Sequence, residues 1–403
     1  MLKNERILLV TLAVLNFTNI MDFMIMMPLG PFLFESLGID VKQFALLVSS
    51  YSISAFISGI VTTFIINKFD HKSYLLKIYI GFLIGTLLCG LSTTYSMLLA
   101  ARFFTGLFGG VLGAIILTIV SDNVPLERRG HAMGIIMSAF SFASVLGIPF
   151  GIYIATHTSF GWQAPFLFLA VLGIPVYFLI SKFVHSQSTD VRETHAQLNI
   201  WLNIKSIFSN KNNRLALSIG IVIIVGHFSI IPYLSPYMTG NVGLRKEDLP
   251  LIYLVGGGAS FFTSLLVGKA ADKYGKLRVF VFFVLLYTIP VYLVTNMQPG
   301  TMFYLLSVSA LFFMFSSGRF IPSQAMVTGA VDAKIRGSFM SLNSSVQQLA
   351  IGLSSFLAGL IVTTDPITKK IYNYDVVGYF AIAMAFVSLI IAMQLRTSEG
   401  EKY

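Results

Sequence analysis

The second half of this chain repeats the polar and proline landmarks of the first half about 205 residues later. Each half contains one ionisable residue followed by two prolines. They are Asp22, Pro28 and Pro31 in the first half and His227, Pro232 and Pro236 in the second. The polar turns at 67–72 and 272–277 keep the same offset. A duplicated unit of this length predicts two similar domains that pack side by side.

Composition places both units in a membrane. Hydrophobic residues make up 56% of the chain and charged residues 11%, whereas soluble domains carry about 25% charged residues. Apolar stretches of about 20 residues, long enough to span a bilayer as helices, recur along the chain. They are continuous rather than alternating, which argues against membrane strands. Twelve spans are predicted, at approximately 7–31, 44–66, 73–93, 96–120, 132–155, 163–183, 215–238, 249–271, 277–295, 302–326, 338–362 and 376–395.

The longest break in hydrophobicity divides these spans six and six. The sequence therefore predicts an all-α membrane protein with an amino-terminal six-helix bundle at 1–183, a linker at 184–214 and a carboxy-terminal six-helix bundle at 215–403. Apolar residues of the linker recur at helical spacing, which favours a short helix at the membrane interface. They are Ile200, Trp201, Ile204, Ile207 and Phe208. A disordered linker is the alternative.

An even number of spans puts both termini on one side, and lysine and arginine indicate which side that is. Outside the spans, the basic residues concentrate on the terminal side. The opposite side carries only Lys42, Arg245, Lys246, Lys369 and Lys370. Both termini are therefore predicted to be cytoplasmic, and the net charge of +10 reflects topology and attraction to anionic lipid rather than a nucleic-acid surface. We expect the first span, which contains Asp22, to be a retained helix rather than a signal peptide.

Three charged residues lie deep within predicted spans, at bilayer depth: Asp22, Arg102 and Arg319. Each costs at least about 2.5 kcal/mol at the bilayer centre, so each needs an explanation. Asp22 and Arg102 differ in predicted depth by about 5 Å, at 1.5 Å of rise per residue. They are therefore predicted to pair across the first bundle. Such a pair is either a proton switch or a permanent ion pair that fixes helix packing.

His227, the repeat counterpart of Asp22, is assigned first to substrate contact, with a neutral hydrogen-bonded histidine as the alternative. Arg319 has no acidic residue at matching depth. Carbonyl ligation or snorkelling would explain it without a function; contact with an anionic substrate is the functional interpretation. Further polar and aromatic candidates for a central cavity, each of which has helix packing as its alternative, are Asn16, Asn19, Tyr51, Tyr233, Gln324, Asn343, Gln347 and Gln348.

The motifs resemble those of the major facilitator superfamily, and within it the drug:proton antiporter group that includes bacterial sugar-efflux and multidrug-efflux transporters. Asp22 followed by Pro28 resembles the group's acidic first-helix motif, and Arg102 with Gly106 its proton-coupling arginine motif. The segment 268–276 is similar to the superfamily's loop signature, through Gly268, Asp272 and Gly275.

The fifth span adds a glycine-proline motif like that of exporters, at Gly147, Pro149 and Gly151. The chain departs from the family pattern at Thr63, Asn67 and Asp70, where the first-half loop signature has glycine, aspartate and glycine. In the fifth span, Ile148 separates glycine from proline. Small residues at these spacings otherwise serve close helix packing.

The resemblance implies a twelve-helix secondary transporter, a monomer of the bacterial inner membrane, that exports a small molecule such as a sugar, organic anion or drug by alternating access in exchange for protons. It implies proton coupling at Asp22 and Arg102. Gating would involve Asp272, Gly268 and Gly275 together with Gly147, Pro149 and Gly151. No cofactor is expected.

The alternative functions are those of a uniporter or importer of the same fold, a membrane enzyme or a non-transporting sensor. The six histidines are scattered, no His-x-x-Glu or Cys-x-x-Cys pair occurs, and the single cysteine, Cys89, lies within a span. Neither a metal site nor a catalytic cluster is therefore predicted.

Overall fold

A computed structural model describes residues 3–65, 69–125, 128–184, 207–332, 335–365, 368–401 and 403. Within these residues twelve helical segments are long and apolar enough to cross a membrane. The twelve predicted spans are thereby confirmed. Most of the linker and of the predicted interfacial helix lies outside the described residues, as does Asn67 of the first-half loop. Of that predicted helix, residues 207–209 are described, and they are helical.

In the first half, the described residues form eight helices, a short π-helical segment and a 3₁₀ turn. The helices are α1 (Lys3–Ile25), α2 (Gly30–Ser36), α3 (Val41–Ile65), α4 (His71–Leu91), α5 (Tyr95–Asn123), α6 (Arg129–Phe142), α7 (Ile148–His157) and α8 (Ala164–Phe183). A π-helical segment, Ala143–Gly147, joins α6 to α7, and a 3₁₀ turn, Gly161–Gln163, precedes α8. Polar side chains begin two of these helices, because Asp70 accepts from the Ser73 backbone N–H and Thr94 from that of Met97.

The described part of the second half repeats this plan with seven helices. They are α9 (Lys211–Phe228), α10 (Ile231–Gly240), α11 (Leu249–Tyr274), α12 (Lys276–Thr295), α13 (Met302–Gly329), α14 (Arg336–Ile361) and α15 (Tyr374–Gln394). A 3₁₀ turn, Lys246–Asp248, precedes α11. Between α14 and α15 lies an antiparallel hairpin of β1 (Thr363–Thr364) and β2 (Ile371–Tyr372), in which Thr363 pairs with Tyr372. The sequence reasoning did not anticipate this small hairpin.

The repeated prolines interrupt the first span of each half. The first predicted span, 7–31, is in fact α1 followed by a turn and α2, with Pro31 in the first turn of α2. The seventh span breaks in the same way between α9 and α10, with Pro232 in the first turn of α10. Proline lacks a backbone N–H and cannot continue a helical ladder, but it fits a first turn. Both breaks therefore follow from the repeated prolines.

The loops after these breaks also repeat their backbone conformation. Gly38 has φ +65° and Gly243, 205 positions later, has φ +79°. These values lie in the left-handed region that side chains with a Cβ avoid. The repeated glycines are therefore required by the same turn in each half.

The two halves share a hydrophobic core. It includes Leu33 and Phe44 from the first half and Tyr233 and Leu234 from the second, all essentially inaccessible to solvent. α3 packs on α14, α11 packs on α7 and the π-helical segment, and α2 packs on α10. Contacts between the halves thus involve several helices rather than a single seam.

Candidate functional site at the helix breaks

The side chains predicted to carry function lie just before the two helix breaks. Asp22 and Phe23 precede the end of α1, and His227 and Phe228 end α9. The two dipeptides hold equivalent places in the repeat. The interrupted helices thus bring one ionisable and one aromatic side chain from each half to a similar depth.

Asp22 and Arg102 form the predicted ion pair. Arg102 Nη1 donates to Asp22 Oδ2 at 2.9 Å and lies 3.3 Å from the Asp22 backbone oxygen. Thr86 on α4 donates to Asp22 Oδ1 at 3.0 Å. Both charged side chains are fully inaccessible to solvent. The pairing inferred from depth alone is confirmed, and the carboxylate has a hydrogen-bond donor at each oxygen.

An aromatic ring covers the other side of Arg102. Its guanidinium carbon lies 4.5 Å from the centre of the Tyr51 ring on α3. Gly106 on α5 permits this approach, because a side chain there would overlap Ser54 and the Tyr51 backbone. A cation over a desolvated ring gains about 2 kcal/mol. Arg102 would therefore keep favourable contacts, with Tyr51 and with the Asp22 carbonyl, if the carboxylate lost its charge.

The second half presents a basic and aromatic cluster at its own helix break. His227 Nδ1 lies 2.9 Å from Ser316 Oγ on α13, and its ring stacks on Phe312 with centroids 5.8 Å apart. Arg319, one turn after Ser316, has its guanidinium carbon 3.6 Å from the centre of the Tyr287 ring on α12. Histidine and arginine thus lie in one packed cluster, although the sequence predicted them only as separate contacts.

Arg319 is neither snorkelling nor bound to carbonyl groups. It is 1% exposed, and none of its three guanidinium nitrogens has a hydrogen-bond partner within the described residues. Those two explanations, which needed no function, are therefore wrong. Burying an arginine in a membrane costs about 2.5–3.5 kcal/mol. Its contact with the Tyr287 ring contributes about 2 kcal/mol and so offsets part of this cost.

Aromatic side chains connect the two clusters across the interface between the halves. Phe23 packs on Tyr51, with ring centroids 5.4 Å apart, and on Phe228 of the second half, at 6.1 Å. Phe228 in turn lies edge-on to His227 at 5.4 Å. Sequence reasoning missed Phe23 and Phe228, although the same 205-residue offset relates them and could have revealed the pair.

The remaining predicted polar residues divide into two groups. Asn19 accepts a hydrogen bond from the Tyr51 hydroxyl at 3.1 Å, next to Arg102. Asn343 and Gln347 on α14 lie together beside Gly220 of α9, and each has a side-chain polar atom with no hydrogen-bond partner in the described part of the chain. Asn343 and Gln347 are thus available for hydrogen bonding, whereas the Asn19 oxygen already accepts from Tyr51.

Three other residues lie apart from this group. Tyr233 donates its hydroxyl to the Ser355 carbonyl at 2.5 Å inside the second half. Asn16 donates to the Ile136 carbonyl at 3.3 Å. Gln324 instead borders a separate cavity of about 420 Å³ with Lys276 and Arg336, at the end where the termini lie.

The predicted gating residues lie at two levels. Gly147 ends the π-helical segment and Pro149 follows in the first turn of α7. A Cβ on Gly151 would lie 2.6 Å from Ile25 Cδ1, so this glycine lets α7 approach α1. Gly275 separates α11 from α12 with φ +94°, a left-handed conformation that explains the glycine. Asp272 is exposed near the end of α11, and a Cβ on Gly268 would meet no atom within 4 Å.

The halves close the molecule at the end opposite the termini. A Cβ on Gly30 would lie 2.7 Å from Pro236 Cγ, so α2 and α10 touch there. Glu35 pairs with Lys246 across the interface, and the Lys246 ammonium lies 5.2 Å from the centre of the Phe32 ring. α3 and α14 continue this contact inward as far as Gly59 and Ser345.

Comparison with known proteins agrees with this architecture. The profile of the Major Facilitator Superfamily matches residues 12–225 and 216–402. An uncharacterised transporter of this superfamily from Bacillus subtilis (strain 168) is 27% identical over 379 residues, covering 89% of each chain. A probable sugar efflux transporter from Pasteurella multocida (strain Pm70) is 24% identical over 274 residues, covering 67% of this chain and 65% of that protein.

The crystal structure of a D-xylose-proton symporter superposes with a TM-score of 0.79 at 15% identity, covering 99% of each chain. At this identity the likeness concerns the fold alone. The fold and the relatives are those of transporters rather than enzymes. From its profile match, its relatives and its two six-helix bundles, this chain belongs to the major facilitator superfamily.

Proposed function

We propose that this protein is a proton-coupled exporter of a small molecule in the bacterial inner membrane, with both termini in the cytoplasm. Asp22 carries the proton, Arg102 is its partner, and residues 1–183 and 215–403 rock about a substrate held between them. The observation that carries the proposal is the fully buried Asp22–Arg102 pair, in contact through Tyr51 and Phe23 with Phe228 of the other half.

Protonation changes the strongest contact of Arg102. With Asp22 charged, the 2.9 Å ion pair holds α1 against α5. A protonated Asp22 keeps a donor in Thr86 but no longer balances the arginine, which retains the Asp22 carbonyl and the Tyr51 ring. Removing one partner of a buried ion pair costs about 3–5 kcal/mol. A change of that size is enough to favour a different arrangement of the halves.

The aromatic contacts support a change of packing at the interface between the halves. Tyr51 lies between Arg102 and Phe23, and Phe23 packs on Phe228. A movement of the guanidinium therefore alters packing between the halves, where two rigid bundles respond as a switch rather than by continuous deformation. Asn19, Tyr51, Asn343 and Gln347 would supply hydrogen bonds to substrate at the same level.

The remaining residues contribute to gating in this proposal. Gly147, Pro149 and Gly151 let the fifth span bend against α1, and Gly268, Asp272 and Gly275 form contacts at the cytoplasmic end when that end closes. The halves touch at the opposite end, which supports a substrate site that is reached from the cytoplasm in this conformation. Export then requires that the same site open to the outside.

Asp22→Asn tests the proposal in proteoliposomes. Labelled glucose, benzoate and tetraphenylphosphonium are supplied as probes of three substrate classes, with and without an imposed pH gradient. The asparagine variant should lose gradient-driven accumulation of the transported probe and keep exchange of that probe, because Asn mimics the neutral carboxyl. Asp248→Asn, which alters an exposed ion pair with Arg245, is the control and should behave as wild type. Gradient-driven accumulation at the wild-type rate in Asp22→Asn would falsify the assignment.

A further inference from the structure

Among the described residues, Arg319 is a buried cation of the membrane region whose charge no acidic side chain balances. Arg102, the other one, is bound to the Asp22 carboxylate and carbonyl. Arg319 has no hydrogen-bond partner for any of its three nitrogens among the described residues, and its environment is the face of Tyr287. A guanidinium can only donate hydrogen bonds, so a satisfied Arg319 requires an acceptor from elsewhere.

No acidic side chain of the second half is placed to supply that acceptor. Arg319 lies ten residues before the end of α13, about 15 Å from it along the helix axis. All acidic residues of this half lie at helix ends or in loops: Glu247, Asp248, Asp272, Asp332, Asp365, Asp375, Glu399 and Glu401. The charge excess inside the second half is therefore built into the sequence.

Other groups around Arg319 can also donate. Tyr287 Oη has no hydrogen-bond partner in the described part of the chain, and the His227–Ser316 pair lies one turn along α13 from Arg319. Phe312 packs on both His227 and Tyr287, with centroids 5.8 Å away in each case, and thereby holds these groups in one cluster. His227 is half-buried and adjoins Phe228, so the cluster reaches the interface between the halves.

We propose that His227, Tyr287, Ser316 and Arg319 form a binding site for a compact monoanion, a carboxylate above all. The planar fork of a guanidinium matches the two oxygens of a carboxylate, whereas a spherical halide fills only one direction. Resting on the transport function proposed above, the site recognises the carboxylate of an organic acid substrate. The same chemistry could be met by a resident inorganic anion such as chloride, and the experiment separates the two.

Anion binding is measured on the purified full chain in detergent, without any gradient. Thermal unfolding is followed while sodium acetate, benzoate or chloride is added at low ionic strength, with acetamide and benzamide as uncharged counterparts. Benzoate and acetate should raise the unfolding temperature of wild type saturably, and the two amides should not. Arg319→Gln should weaken benzoate binding on the order of tenfold or more, since a charge-assisted contact is lost.

Arg278→Gln is the matched control, because Arg278 is an exposed arginine at the start of α12. It should bind benzoate as wild type does, and the comparison of the two variants removes the general effect of salt. Tyr287→Phe keeps the ring beneath Arg319 and removes only the hydroxyl, so it should weaken benzoate binding by a few-fold. This second variant preserves the test if Arg319→Gln does not fold.

The outcomes are distinct. Saturation by carboxylates supports the substrate class, while saturation by chloride alone overturns it and assigns a resident inorganic anion. Absence of saturable stabilisation by any anion, or equal benzoate affinity in wild type, Arg319→Gln and Tyr287→Phe, rejects the site altogether. Asp22→Asn should bind benzoate normally, so a failure of proton coupling would leave this test intact.

Discussion

Gly257 and Gly258 on α11 give a matched pair of substitutions that probes how the halves meet. A Cβ on Gly257 would lie 2.6 Å from the Ser144 carbonyl oxygen and 3.1 Å from Val145 Cα, in the π-helical segment of the other half. A Cβ on Gly258 would meet no atom within 4 Å. Because the obstructing atoms belong to the backbone, they cannot turn aside as a flexible side chain would.

The expected magnitude follows from this overlap. Forcing an extra methyl group into a close-packed contact costs about 1–3 kcal/mol. The gain in helix propensity from glycine to alanine, about 1 kcal/mol, is common to both variants and to every conformation that keeps α11 helical. Gly257→Ala should therefore shift the population away from the present closed arrangement by roughly 5- to 150-fold, and Gly258→Ala should leave it nearly unchanged.

Spin labels at Thr93 and Gln298 report the opening. These residues are exposed in loops of different halves, at the end opposite the termini. Cys89, the single native cysteine, is fully buried. It therefore does not compete with the introduced cysteines for the spin label. Pulsed electron–electron distance measurements should show a longer distance population in Gly257→Ala than in Gly258→Ala. Identical distance distributions in the two variants would refute the inference that this close contact holds the halves together.

Two smaller effects follow from the ends of the molecule. Lys246→Gln removes the partly exposed ion pair with Glu35, and exposed pairs contribute about 0–1 kcal/mol. The same spin labels should therefore show at most a fivefold shift of the closed population, and this shift should be absent in 1 M salt. A shift larger than that of Gly257→Ala would contradict the assignment. Tyr403 donates to the Met326 carbonyl at 2.6 Å, and burial raises the pKa of Tyr403 to about 12. The folded state thus favours its neutral form, and its stabilisation is complete below pH 10 and lost between about pH 10 and 12. Tyr403→Phe should lower unfolding free energy by about 0.5–1.5 kcal/mol at pH 8 and abolish that alkaline loss in thermal unfolding, whereas an unchanged pH profile would exclude Tyr403 as its source.

The sequence was sufficient for those features that depend on position along a helix. Apolar run lengths gave the twelve spans, and depth arithmetic paired Asp22 with Arg102, since a rise of 1.5 Å per residue is the same in every helix. The repeated prolines lie where α1 and α9 end, but the spans were predicted without interruption. The structure adds that Gly38 and Gly243, also 205 positions apart, share a left-handed backbone conformation.

Features that depend on helix rotation and tilt could not be predicted in this way. Whether Tyr51 faces Arg102 depends on the close approach of α3 and α5 at Gly106, and Tyr287 reaches Arg319 from a helix with no motif at that position. Phe23 and Phe228 meet only because the two halves are docked. The sequence also gave Arg319 two ordinary explanations, and only its observed isolation removed them.

The central claim is that proton movement at Asp22 is coupled to substrate movement in the opposite direction. It is tested most directly by proteoliposomes that contain a pH-sensitive dye and are given an outward gradient of benzoate, glucose or tetraphenylphosphonium with no initial pH difference. The account predicts that one probe, benzoate if the anion site is correct, drives protons inward as it leaves. This proton movement should be absent in Asp22→Asn and present in Asp248→Asn. Substrate efflux without proton movement in wild type, or equal proton movement in Asp22→Asn, would contradict the account.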